Sequence, residues 1–206
     1  MKEIDLMPQS DFLVAAARSG DTVAINHLIK LWQKRIYNFA LKYFNDHDMA
    51  MEITQKTFIS MHKSIGKLND EKRFKSWLYR IATNYCHEEV KRQQKKWVLP
   101  FMKVQKEKDQ RQIADSTPVG HLGNPEKSLG NNELKSLLKK ALNTLPEEQR
   151  MVVIMKEYEG LKIREIAEVM SISENTVKSR LYYALGSLRQ CLDQWNITRE
   201  NIHYEL

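Results

Sequence analysis

Residues 161–181, LKIREIAEVMSISENTVKSRL, constrain the fold of this chain more tightly than any other stretch. Ile163, Ile166, Ala167 and Met170 recur at i, i+3, i+4, i+7, and Val177, Leu181, Ala184 and Leu188 at i, i+4, i+7, i+11. Each run therefore presents one apolar stripe on a helix. Only Ser171, Ile172 and Ser173 lie between the runs, which is too short for anything but a turn, and Ser173 suits the N-cap of the second helix. Two short helices joined by a tight turn satisfy the pattern.

Opposite its stripe, the second helix carries Asn175, Ser179, Tyr182, Tyr183 and Gly186, with Lys178 and Arg180 on the flanks. A helix inserted in the major groove of DNA needs such amide, hydroxyl and cationic groups, some for base edges and some for phosphates. An ordinary amphipathic helix with a solvated face has the same spacing, so periodicity alone leaves both readings open.

Charge adds to the first reading. The 206 residues fit one or two small soluble domains and carry a net charge of +7. Between 71 and 96 there are eight Lys or Arg against three Glu, a net of +5 in one segment. Concentrated positive charge suits a polyanion. A basic membrane-surface helix is the weaker alternative, because the other side of the segment is not strongly apolar. No run approaches the length of a spanning helix, and the start MKEIDLMPQSDF lacks a signal-peptide pattern, so the expected location is cytoplasmic. Cys86 and Cys191 are far apart and read as reduced small hydrophobes. With no HExxH, no CxxC and no Gly-rich phosphate loop, neither metal nor cofactor nor small-molecule substrate is expected, and nothing resembles a catalytic set.

The pattern is all-α throughout. A first helix is predicted from a Ser10 cap to about Ser19, a second from Asp21 through about Phe44, and a third from Met49 to about Ile65 after the polar break at 45–48. The fourth, 71–96, has two faces. Phe74, Leu78, Ile81, Ala82 and Tyr85 form a buried stripe; Arg73, Trp77, Arg80, Asn84, Lys91 and Lys95 line up beside it, with His87 close by. A row of cations with an aromatic and an amide suits an unstacked DNA strand, which offers phosphates and bases to stack on. For Trp77 a place in the core is the stronger reading. From Val98 to Asn132 the period is lost among Pro, Gly, Asn and charge, as in a flexible linker. A second unit begins near Glu133 with Leu134, Leu137, Leu138, Ala141 and Leu142. Pro146 is expected at the first turn of a helix running through Tyr158. The predicted organisation is thus 1–97, a linker at 98–132, a helix-turn-helix unit at 133–192 and a tail at 193–206.

Four motifs in order now carry a family resemblance: RSGD at 18–21, AMEITQKTF at 50–58, FKSWLYRIATN at 74–84, and LPEEQRMVVIMKEYEGLKIREIAEVM followed by NTVKSRL. The chain resembles the extracytoplasmic-function sigma factors of bacterial RNA polymerase, the first three motifs matching the family's region 2 and the last its region 4. The resemblance implies that the helix from Asp48 to Phe58 docks on the clamp helices of the polymerase's largest subunit, through Asp48, Glu52, Gln55 and Lys56. It implies a pocket for a flipped −10 base at 66–72, and an opened strand held by Lys72, Arg73, Lys75, Trp77, Arg80, Asn84, His87, Lys91, Arg92 and Lys95. Duplex at the −35 element would meet Asn175, Thr176, Lys178, Ser179, Arg180, Tyr182 and Tyr183. Core RNA polymerase and promoter DNA are the partners implied, with an anti-sigma factor as a further candidate that no residue specifies. The chain departs from the pattern in having Ser171 and Asn175 where Gly is common, Tyr182, Tyr183 and Leu185 where Arg is common, and His87 where an acid is common. Two rivals are a free-standing helix-turn-helix regulator, which leaves the cation row idle, and a nucleic-acid enzyme, which lacks clustered carboxylates.

Overall fold

The computed structural model describes the backbone of residues 7–104 and 131–195, and the side chains of 11–95, Leu134 and 136–195. Among the described residues there are helices and turns and no strand. The N-terminal unit comprises α1 (Met7–Arg18), α2 (Thr22–Phe44), α3 (His47–Ser64) and α4 (Phe74–Val104). The C-terminal unit comprises α5 (Asn131–Thr144), α6 (Glu147–Val153), α7 (Ile163–Met170) and α8 (Glu174–Gln194).

Local chemistry sets most of these boundaries. Asp21 caps α2 by accepting from the backbone N–H of Val23 and Ala24, and Asp46 caps α3 by accepting from Met49. Each satisfies donors that the first helical turn leaves without an intrahelical partner. Asn45, at φ 57°, turns the chain between them. The predicted four-residue break is therefore only two residues long, because a left-handed asparagine and a capping aspartate complete the reversal. After the 3₁₀ turns Ile65–Lys67 and Glu71–Arg73, α4 runs on to Val104, beyond the expected end. Pro100 removes one backbone donor within this last stretch of the helix. Expectations for the linker at 105–130 and for the tail at 196–206 lie outside the described residues.

In the C-terminal unit Pro146 sits one place earlier than expected, at the N-cap of α6. The helix that follows is not uniform. After Val153 it widens into a π turn, Ile154–Tyr158, in which the Glu159 N–H donates to the Ile154 carbonyl five residues back at 3.2 Å. The helix-turn-helix forms as its stripes dictate: Ser173 Oγ accepts from the Thr176 N–H at 3.0 Å and starts α8 cleanly, while Ser171 ends α7 at φ 55°. A left-handed serine costs roughly 1–2 kcal/mol, and glycine there would add about 0.4–1 kcal/mol of unfolded-state entropy. Ser171→Gly is therefore expected to raise stability by about 0.5–1 kcal/mol. Urea unfolding checks this, and an unchanged or lower midpoint contradicts it.

The core does not stop at the boundary between the units. Leu28, Ile36, Phe39, Leu78 and Tyr79 of the N-terminal unit belong to one continuous buried cluster with Met151, Val152, Ile154, Met155, Leu161 and Ile166 of the C-terminal unit. A smaller cluster of Leu142, Leu145, Val153 and Ala184 holds α5, α6 and α8 together. Aromatic edges organise the centre, with Trp32 edge-on to Phe74 at 5.7 Å and Phe39 edge-on to Tyr79 at 5.4 Å.

Candidate nucleic-acid interface

Three surfaces collect the residues singled out in the sequence. On α8, the stripe of Val177 and Ala184 is buried, which turns Asn175, Lys178, Ser179, Tyr182, Tyr183 and Gly186 outward into solvent. Tyr182 and Tyr183 are 76% and 64% exposed, with ring centroids 5.7 Å apart. Unburied aromatic area of that size on a helix of hydrogen-bonding groups suits a partner with apolar patches and polar edges, as the major groove presents. Thr176 and Arg180 are placed differently. The Thr176 hydroxyl lies 2.8 Å from Ser173 Oγ in the cap, and the Arg180 guanidinium is turned back to Glu148 on α6 at 2.6 Å.

On α4, Asn84, Lys91 and Lys95 are exposed, as is Lys72 just before it, and His87 is half-buried. Arg92 is held by Glu89, itself buried, at 2.6 Å. Trp77 resolves into both of its readings: its ring is half-buried and tilted on Phe74 at 6.0 Å, and its free edge lines a cleft of about 310 Å³ with Lys67, Asn69, Asp70, Arg73 and Arg80. The first half of the cation row faces the C-terminal unit. Lys75 Nζ donates to the Glu159 carbonyl at 3.1 Å, Arg80 Nε donates to the Glu168 carbonyl at 3.1 Å, and Arg73 pairs with the Glu168 carboxylate at 3.0 Å.

The third surface is a groove of about 1150 Å³ between α2 and α3. Asp48, Glu52 and Gln55 line it together with Ile29, Tyr37, Phe58, Met51 and Ile59, the last two 63% and 46% exposed. Lys56 stands beside it, its ammonium 2.5 Å from Glu52. The polar residues were legible as one helix face. The apolar floor was missed, although Met51 and Ile59 at i and i+8 off the buried stripe are a visible signal.

Comparison with known proteins finds one family model within each unit. Residues 28–96 match the model of Sigma-70 region 2 and residues 135–188 that of Sigma-70, region 4. The chain belongs to the extracytoplasmic-function group of the sigma-70 family. Among relatives, the RNA polymerase sigma-H factor of Pseudomonas aeruginosa is 26% identical over 184 residues, covering 89% of this chain and 94% of that one. The ECF RNA polymerase sigma-E factor of Haemophilus influenzae is 28% identical over 172 residues, covering 84% and 89%. Two solved structures share the fold. CnrH, solved with the cytosolic domain of CnrY, aligns at a TM-score of 0.65 and 18% identity, covering 90% of this chain and 97% of that one. The sigma factor RpoE of Bartonella quintana, solved with the anti-sigma factor NepR, aligns at 0.58 and 22%, covering 82% and 96%.

In this sigma factor the groove and α4 both fall within region 2, and the helix-turn-helix within region 4. The seam between α4 and α7 is therefore a contact between the two regions. Its electrostatics are set by burial. Tyr79 is fully buried and donates to Glu159 Oε2 at 2.5 Å; burial above all, and then the adjacent Glu159 carboxylate, push the phenol far above its usual range. Burial also raises the Glu159 carboxyl above its ordinary value, opposed by the Tyr79 hydrogen bond and by Lys42, Arg35 and Lys75. A carboxyl raised on folding favours the packed form most below its unfolded value, and that advantage is lost as pH rises through the raised value. Glu159→Gln is accordingly expected to flatten the decline of the urea midpoint from mildly acidic to neutral pH; an identical decline in wild type and variant contradicts this. Sequence reasoning missed Tyr79 and Glu159 as a pair, since 80 residues separate them. Among the described residues no group of His, Cys, Asp or Glu is arranged to hold a metal, and no helix is long and apolar enough to cross a membrane.

Proposed function

We propose a division of labour among the three surfaces of this sigma factor. The chain directs core RNA polymerase to specific promoters and assists promoter melting. Within that work, the α2–α3 groove takes the clamp helices of the largest polymerase subunit, with Asp48, Glu52, Gln55 and Lys56 around an apolar floor. The cation row of α4, with Lys72 before it, holds the opened −10 strand, and the cleft beside Trp77 receives an extruded base; capture of a base offsets part of a melting cost of a few kcal/mol. The exposed face of α8 reads the −35 duplex through Asn175, Lys178, Ser179 and the two tyrosines, while Arg180 braces α8 against α6 and acts on that face indirectly. The chain itself catalyses nothing and leaves RNA synthesis to the polymerase, in the cytoplasm. The anti-sigma factor solved with the RpoE relative supports an inhibitory protein as a further partner.

The observation that carries this reading is the match of the region 2 and region 4 models to the two units that present, respectively, the cation-bearing helix and the outward helix-turn-helix face. Run-off transcription with purified core enzyme tests it. Addition of the chain is expected to confer specific starts on promoter templates, and no starts above core enzyme alone on any template would refute it. Lys178→Ala is expected to weaken −35 duplex binding by roughly 1–3 kcal/mol if its ammonium meets a base, or to flatten the salt dependence by about one charge if it meets a phosphate. Arg180→Ala is expected to lower thermal stability as well, through loss of the Glu148 pair. A Lys178→Ala titration unchanged in both affinity and salt slope contradicts the docking.

A further inference from the structure

The RSGD motif at 18–21 has no part in the three surfaces, but it makes a joint of its own. Gly20, at φ 92°, donates its N–H to the Ala17 carbonyl at 3.1 Å, and the Asp21 N–H donates to the Ala16 carbonyl at 3.1 Å. These bonds close the last turn of α1 with a left-handed glycine just past its end, so the backbone carrying Arg18 is fixed. From there Arg18 Nη1 donates to Glu71 Oε1, 53 residues further along the chain. The two side chains are 30% and 31% exposed. Arg18 Nε is buried without a hydrogen-bond partner, a cost that a surface arginine avoids by swinging into water. The Glu71 carboxylate keeps it in.

Glu71 opens the 3₁₀ turn that leads into α4, directly after Lys67, Leu68, Asn69 and Asp70, which form the loop side of the cleft beside Trp77. The opposite side is α4 itself, anchored by the buried Phe74 and Leu78. The loop has less to hold it. Its two 3₁₀ turns are three residues each, with poorer hydrogen-bond geometry than an α-helix, and Asn69 and Asp70 between them are exposed. Ile65 and Leu68 are buried in one cluster with Val14 and Ala17 of α1, and a Cβ on Gly66 would lie 3.6 Å from the Arg18 carbonyl oxygen. The loop thus rests on the end of α1 at its start, and Arg18 ties it there again at its finish.

We infer that Arg18 is a positioning residue for base capture: through Glu71 it holds the 66–72 loop on the end of α1, and so keeps the cleft beside Trp77 in the shape that receives an extruded −10 base. This rests on the reading of that cleft as the base pocket. A partly exposed ion pair adds little stability, so its removal leaves the fold in place and loosens one wall. A wall free to move gives up the geometry on which a fitted pocket depends.

The test uses holoenzyme assembled from core RNA polymerase and the full chain, with forked promoter DNA whose −35 element is duplex and whose −10 non-template strand is single. One nucleotide at a time along that strand is replaced by an abasic one, and affinity is read by fluorescence anisotropy. In the wild type, one position is expected to lose about tenfold when its base is removed. Glu71→Gln is expected to weaken the intact fork about fivefold and to shrink the penalty at that position below about twofold, with penalties elsewhere unchanged. The sign separates positioning from charge, because removing an acid beside DNA would by itself tighten binding. Arg18→Ala should match Glu71→Gln, and Arg18→Glu/Glu71→Arg, which restores an opposite-charge pair, should recover most of the loss. If Arg18→Ala loses helicity by circular dichroism, Glu71→Gln decides alone. A base penalty in Glu71→Gln equal to that of the wild type overturns the inference, as does a swapped pair that recovers nothing. Failure of the pocket reading looks different: wild-type holoenzyme then shows no position-specific penalty at all, and the inference falls with it.

Discussion

Replacing Glu52 and Gln55 together by lysine is expected to abolish association with core RNA polymerase while duplex binding through α8 survives. Glu52 lies on the wall of the α2–α3 groove and Gln55 one turn further along the same helix. The apolar floor beneath them, with Met51 and Ile59 more than two-fifths exposed, has the make-up of a protein-binding surface, a hydrophobic centre with a polar rim. Glu52 also holds the Lys56 ammonium, so a lysine at 52 both repels Lys56 and brings two cations to a rim that now carries a paired acid. Two added cations meet a partner surface that the acidic rim complements, and mismatched charge of that kind costs on the order of 2–4 kcal/mol, or roughly 30- to 1000-fold in affinity. A pull-down of core enzyme by tagged chain should therefore fall to background, while anisotropy on a −35 duplex stays at the wild-type value. Normal recovery of core enzyme would remove the groove from the account.

The second large effect concerns Phe74, which begins α4. Its ring is 2% exposed, meets the edge of Trp32 at 5.7 Å and backs the ring of Trp77 at 6.0 Å. Phe74→Ala is expected to cost about 3–5 kcal/mol, the transfer energy of the ring plus the cavity it leaves. Against a total stability of about 5–15 kcal/mol for a domain, that is a large fraction. It also removes the backing of Trp77, so any strand affinity that survives in the folded fraction should fall too. Urea unfolding followed by tryptophan fluorescence measures the first effect, and a midpoint within error of wild type would show that Phe74 does not anchor the helix.

The sequence foretold what is local. The stripes of α7 and α8, the Ser173 cap and the basic segment at 71–96 each depend on neighbours within a turn or two, and each has the form that spacing required. What depends on distant residues was hidden. Arg73 and Arg80 read as solvent-facing cations because nothing within α4 could reveal that Glu168, 88 residues beyond Arg80, meets them. Arg180 read as a flank of the DNA face because its partner Glu148 belongs to another helix. Trp77 had two readings since a half-buried ring at the lip of a cleft serves both. The left-handed Ser171 follows a different logic: the departure from Gly was visible in the sequence, and the backbone keeps the glycine-like conformation regardless.

The π turn at Ile154–Tyr158 has a consequence for how such chains diverge. One residue adds about 100° of rotation to a helix, so the bulge sets the angular phase at which Glu159 leaves α6. Deleting a single residue there would swing Glu159 away from Tyr79 and carry α7 around with it, while every helix cap and the exposed face of α8 stayed chemically the same. Length changes of one residue, invisible to composition, would then decide how a sister chain seats its region 4 on region 2.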